Sequence, residues 1–211
     1  MSKFIYYGSK TGLPTTNLVG RYRADTGITK DGSDFVSGWD DMVGSNNLSQ
    51  SVGSAQPLWQ DNVNNGEPAV LFQGNDWLSH GTNLTVGTAF MCGNFTGGAT
   101  FPDFNGAITG ASGNTIIMVG NKNSSNIYEV FGSLGDTLIN DVNTPSYAPL
   151  SDYKSCATKG TPIVCNGIKL GKDRTNNRYW EGYMFEVLLY STELSASDIT
   201  DVFNYLSSRY L

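Results

Sequence analysis

Histidine occurs once in the 211-residue chain, as His80. A histidine-ligated metal centre or a His–carboxylate dyad would therefore need groups from another molecule. Glutamate is scarce, and no strand carries the E-x-D-x-E spacing that points paired carboxylates into one groove. Glu181 and Glu186 differ in parity and do not form such a pair. No G-x-S-x-G, phosphate-loop or zinc spacing occurs. Charged residues make up only 15% of the chain, with 13 Lys and Arg against 19 Asp and Glu, a net charge of -6. No Lys/Arg cluster stands out, so no nucleic-acid backbone partner is expected. No apolar run approaches the ~18 residues of a membrane span, and no membrane partner is expected. Met1 to Tyr7 is too short, and too polar afterwards, for a signal peptide. The expected product is made in a cytoplasm and does not use the general secretory signal. Cysteine is sparse and odd in number: Cys92, Cys156 and Cys165. Cys156 and Cys165 lie close enough in sequence to pair, but without an export signal free buried thiols are the expectation.

Glycine is abundant at 25, and aromatics reach 12%. That composition predicts many short strands joined by tight turns, in one domain. The informative stretch is Tyr179 to Leu211. Tyr183, Phe185, Val187 and Leu189 alternate with Met184, Glu186, Leu188 and Tyr190. Apolar residues on both parities predict a strand buried on both faces. Ile199, Val202, Phe203, Leu206 and Tyr210 then follow a helical stripe. Ser195 with Asp198 predicts the N-cap, and Arg209 sits in the last turn. Upstream, Asn65-Gly66 predicts a hairpin, Pro68 a strand entrance and Thr115 to Val119 a buried strand. Asn126 to Phe131 reads as a further strand. Thr161 to Cys165, Asn166-Gly167 and Ile168 to Gly171 read as strand, hairpin turn and strand. Arg21 and Arg23 read as a solvated strand face. Trp39 and Trp180 read as core. Phe101 and Phe104 are read either as a small satellite cluster or as a loop pair facing a partner.

The pattern Trp180-x-Gly182, Glu186-Val187-Leu188-x-Tyr190, Leu194-Ser195, Asp198-Ile199, Val202, Tyr205-Leu206 and Arg209-Tyr210 resembles the C-terminal signature of concanavalin A-like, laminin-G-like jelly-roll domains. Leu18 to Thr26, Phe35 to Asp41, and Gln56-Pro57 with Asn65 to Leu78 resemble earlier blocks of that family. The resemblance implies an all-β, two-sheet antiparallel jelly-roll sandwich with a short C-terminal amphipathic helix, over residues 18–211. It leaves residues 1–17 as an edge strand or a docking arm, with Phe4, Ile5, Tyr6 and Tyr7 as candidate assembly contacts.

Fold alone does not fix function. By analogy with relatives, the expected role is a non-enzymatic structural protein displayed on the surface of a phage virion. It would be a head decoration, head fibre or tail-associated part, with other virion proteins and further copies of the chain as candidate partners. The alternative is a carbohydrate-binding module of a bacterial surface protein. A glycoside hydrolase of the same fold is the weaker alternative. Glycans are an expected partner in either of the first two cases. Candidate sugar contacts are Trp77, Phe104 and Tyr179 as stacking rings, with Asp76 and Asn177 as polar partners. No cofactor is expected. Asp40 and Asp41 are Ca²⁺ candidates, since adjacent carboxylates on a loop suit a hard cation; the competing reading is an Asp-capped turn.

Overall fold

The computed structural model describes residues 12–113, 115–127, 134–174 and 177–211. Two antiparallel sheets stack face to face as a jelly-roll sandwich. The eight-stranded sheet runs β12 (Val142–Asn143), β11 (Asp136–Ile139), β13 (Lys154–Cys165), β8 (Leu84–Gly93), β15 (Glu181–Tyr190), β6 (Glu67–Gln73) and β5 (Leu58–Asn64). Its eighth strand, β1 (Leu18–Arg23), lies beside the second half of β15. The seven-stranded sheet runs β10 (Ile116–Val119), β9 (Gly106–Thr109), β14 (Ile168–Leu170), β7 (Leu78–His80), β4 (Leu48–Ser49), β3 (Val36–Trp39) and β2 (Ile28–Lys30). The one α-helix among the described residues is α1 (Ala196–Tyr210).

β15 is buried on both faces, as its double parity predicts. Met184, Val187 and Leu189 point between the sheets and join Trp39, Phe72, Leu78 and Trp180 in the main core. Phe185, Leu188 and Tyr190 face the opposite way and meet Ile199, Val202, Phe203 and Leu206 of α1. A register shift between Met184 and Glu186 breaks the alternation, so that Phe185 and Glu186 both turn toward the helix. Phe203 packs edge-to-face on Phe90 at 5.4 Å, and burying such a ring stabilises by about 1.5–3 kcal/mol. The helix starts as expected: Ser195 Oγ accepts from the Asp198 N–H at 3.2 Å and donates to Asp198 Oδ2 at 2.7 Å. Arg209 adds ion pairs to Asp25 at 2.6 Å and Glu67 at 3.0 Å.

Under α1 lies a buried polar network. Glu186 is fully buried and accepts from Arg21 Nε at 2.7 Å, Tyr205 OH at 2.9 Å and Tyr210 OH at 2.7 Å. The solvated-face reading of Arg21 and Arg23 is therefore corrected: Arg21 turns in to neutralise Glu186, and Arg23 pairs with Asp25. Satisfying an otherwise isolated buried carboxylate outweighs hydrating the arginine.

Asn65-Gly66 joins β5 to β6 as a hairpin, with φ of 49° and 80°. Asn166-Gly167 does not join a hairpin. β14 pairs with β7 and β9 in the other sheet, so the chain crosses the sandwich there. Gly167 has φ 76°, and a Cβ on it would strike the His80 carbonyl of β7. The turn chemistry is the same in both places; the tertiary partner differs. Thr115 to Val119 yields β10, and Trp39 and Trp180 are core, both 0% exposed. Phe101 joins Phe95 and Trp180 in that core, whereas Phe104 stays half-buried outside it. All three cysteines are free and buried. Cys156 and Cys165 sit toward opposite ends of β13; at about 3.3 Å per residue they are too far apart to pair. Asn126 to Phe131 lies mostly outside the described residues, as do Phe4, Ile5, Tyr6 and Tyr7.

Candidate functional site

The helix closes the outer face of the eight-stranded sheet. No described helix covers the outer face of the seven-stranded sheet. Register lines up one row of side chains across that open face: Thr29, Gly38, Ser49, Ser79, Lys169 and Thr109. Thr29 and Ser49 are exposed, and Gly38 and Ser79 are half-buried. The far end is capped by the segment after β14: Thr109 Oγ1 donates to the Lys172 carbonyl at 3.0 Å. That segment lies so close to β9 that a Cβ on Gly106 would collide with the Asp173 backbone.

Two aromatic rings flank the row. Leu78 and Trp180 point into the core, so their predecessors Trp77 and Tyr179 fall on the outer side. Both are half-buried. The Lys172 ammonium lies 5.7 Å from the Trp77 ring centre and 5.0 Å from that of Tyr179, bridging them. Lys169 approaches Trp77 at 5.4 Å. The Trp77 main chain is fixed from behind, its carbonyl accepting from Gln50 Nε2 at 3.2 Å and its N–H donating to Ala55 at 3.1 Å. Its indole N–H is different. Trp39, Trp59 and Trp180 donate theirs to the carbonyls of Arg23, Ala24 and Asn94. Among the described residues Trp77 Nε1 has no such acceptor, and a Trp N–H in a partly apolar setting ordinarily finds one.

The charges here are unevenly matched. Asp173, 1% exposed on its side chain, meets Arg174 at 3.4 Å and Arg178 at 3.5 Å. Asp103 meets Arg178 at 3.5 Å and Lys122 at 3.7 Å. Lys169 and Lys172 make no ion pair among the described residues. Lys169 is 8% exposed and, among the described residues, donates to the Arg174 carbonyl at 2.7 Å. Burial pulls its pKa below the usual lysine value and Lys172 pushes it further down, with Asp173 opposing. Cation–π contacts contribute about 0.5–1 kcal/mol at exposed sites. Hydrogen bonds to charged groups contribute about 1.5–3 kcal/mol.

The structure thus gathers most of the sugar-contact candidates. Trp77 and Tyr179 share Lys172, and the exposed Asn177 accepts from Tyr179 OH at 3.2 Å. Asn105 anchors the Tyr179 carbonyl at 2.5 Å, and Phe104 lies beneath Arg178 at 5.2 Å. Asp76 is placed elsewhere: it is 2% exposed, its Oδ2 accepts from the Gln73 N–H at 2.7 Å, and burial raises its pKa. It closes the turn between β6 and β7 and offers no exposed carboxylate. The two Ca²⁺ candidates also diverge. Asp41 Oδ1 accepts from the N–H groups of Arg21 and Val43 and its Oδ2 from that of Asn46, the geometry of a turn-holding carboxylate. Asp40 is exposed, with its Cβ against Gly27. His80 is buried without a hydrogen-bond partner for either ring nitrogen among the described residues.

Lys169, Lys172, Arg174 and Arg178 escaped the sequence reading, which found no basic cluster. Their closeness in sequence was the available signal, diluted by the overall acidic balance. A cavity of ≈ 670 Å³ lies between Gly12 to Asn17 and Thr192 to Ser195, away from this face and without an aromatic lining.

No family model and no curated protein matches the chain. Among solved structures it is similar to domain 4 of AbnA, a GH43 extracellular arabinanase from Geobacillus stearothermophilus, in complex with arabinotriose. That likeness has 14% identity and a TM-score of 0.50, and covers 88% of this chain and 98% of that one. It is also similar to Trypanosoma rangeli sialidase in complex with sialic acid, at 15% identity and a TM-score of 0.49. This second likeness covers 93% of this chain but only 34% of the sialidase, so the chain spans about a third of that enzyme. At 14% identity the AbnA likeness shows the β-sandwich fold and nothing further.

Proposed function

We propose that the domain is a non-catalytic glycan-binding module, and that sugar lies across the open face of the seven-stranded sheet. Trp77 carries the reading. Its ring stands at the rim of a hydroxyl-lined row, next to Tyr179, with an indole N–H that the described protein leaves undonated. A sugar presents what such a surface lacks: apolar C–H faces for the two rings and oxygens for the indole, Ser49, Ser79 and Asn177. The arabinotriose complex of AbnA domain 4 supports the reading at the level of fold, since that sandwich holds a sugar chain. Glycoside hydrolysis needs two carboxylates about 5–9 Å apart across the bond; the row offers hydroxyls and an ammonium instead, which favours binding without cleavage.

The phage-virion role rests on the sequence resemblance alone. It adds a place of display rather than a competing chemistry, because a virion surface domain can hold host glycans. The test is a glycan array read with the wild type, Trp77→Ala and Tyr179→Ala, beside their thermal unfolding. Binding by the wild type that disappears in both folded variants supports the proposal. A silent wild type, or binding untouched by both substitutions, overturns it. Release of sugar from a bound β-glucan would overturn the non-catalytic part.

A further inference from the structure

Four of the 13 basic residues of a chain with net charge -6 fall between positions 169 and 178. The two arginines among them form ion pairs with Asp103 and Asp173, whereas the two lysines form none among the described residues, Asp173 acting on Lys169 only through its field. Those lysines are the ones that lie over Trp77 and Tyr179. Lys169 is the exceptional member of its row. Its register neighbours Ser79 and Thr109 are small and neutral, yet this position holds a cation at 8% exposure between two strands. Burying an ammonium without an anion is unfavourable, and a second ammonium close by adds repulsion. A neutral sugar would leave both charges unmatched. An anionic group set between them would relieve both.

We infer that this face selects an acidic glycan, a sugar chain whose carboxylate or sulfate is met by Lys169 and Lys172 while its rings lie on Trp77 and Tyr179. The inference rests on the glycan-binding reading and adds the substrate class. Arg174 and Arg178 are the second rank, already neutralised, and steer the approach of the chain. Lys172 moves from over the rings to the anion, which frees the ring faces for stacking.

The experiment compares matched pairs by calorimetric titration of the full chain: oligogalacturonate against its methyl ester, and dextran sulfate against dextran. The expected result is that an acidic member binds at least about ten-fold more tightly than its neutral twin, as one ion pair supplies. That preference weakens as salt rises and collapses in Lys172→Gln, with Lys169→Gln as the second variant. Trp77→Ala abolishes binding of both members. Which acidic member binds distinguishes carboxylate from sulfate. Equal affinity within both pairs, unchanged in Lys172→Gln, overturns the acidic preference and leaves the glycan reading standing. Failure of all four probes also overturns the preference; the neutral members of the glycan array then decide whether the broader reading falls with it.

Discussion

The outer faces of the two sheets treat charge in opposite ways. Beneath α1, Glu186 is fully buried and meets one guanidinium and two tyrosine hydroxyls. On the open face, Lys169 is nearly as buried but meets one carbonyl and an aromatic ring. The first arrangement is complete within the protein. The second leaves the ammonium without an ion pair among the described residues. Polar groups that hold a fold are satisfied internally, whereas those that meet a ligand are left short.

Breaking the closed face has the largest effect. Arg21→Ala strands Glu186 without its cation and lowers stability by about 3–5 kcal/mol, read by denaturant unfolding. Phe203→Ala removes the ring that packs on Phe90 and costs about 3–5 kcal/mol, read the same way; glycan affinity at the far face stays within about two-fold, below the ten-fold of 1.4 kcal/mol. On the open face the ranking reverses. Trp77→Ala costs under about 2 kcal/mol of stability, as befits a half-buried ring, yet lowers glycan affinity at least ten-fold.

Lys169→Met sharpens the contrast through pH. Burial holds the Lys169 pKa below its unfolded value of 10.5. At pH below the lowered folded value both states are protonated, and the folded state bears the full penalty. As pH rises between the lowered folded value and 10.5, the unfolded state binds more protons and stability increases. The wild type should show that rise and Lys169→Met should lose it, while matching wild-type stability at neutral pH to within about 1 kcal/mol. The smallest effect belongs to Asp76→Asn. It keeps an acceptor for the Gln73 N–H, so both stability and glycan affinity should change little, stability by under about 1 kcal/mol.

The closed face was the more legible in sequence, for a physical reason. A strand of period two followed by a helix of period 3.6 announces itself locally, and Ser195, Asp198 and the apolar stripe appear where the pattern places them. Glu186 was not legible, because the register shift beside it turns the side chain toward α1. The sheet to which a strand belongs was not legible either. Asn166-Gly167 has the turn chemistry of a hairpin, and only His80 on β7 shows that the chain crosses over. On the open face the rings were identifiable as aromatics beside strand boundaries. Lys169 was not, since a lysine between Ile168 and Leu170 reads as an ordinary strand residue until Ser79 and Thr109 are brought alongside it.

The account turns on Trp77, and its indole proton reports on the claim most directly. Four indole N–H signals belong to Trp39, Trp59, Trp77 and Trp180. Three are donated to internal carbonyls. Titrating ¹⁵N-labelled protein with an oligosaccharide bound on the array should shift the Trp77 indole signal and leave the other three in place. A shift at Trp59 or Trp180 with Trp77 unmoved would put the sugar elsewhere and contradict the assignment of the open face.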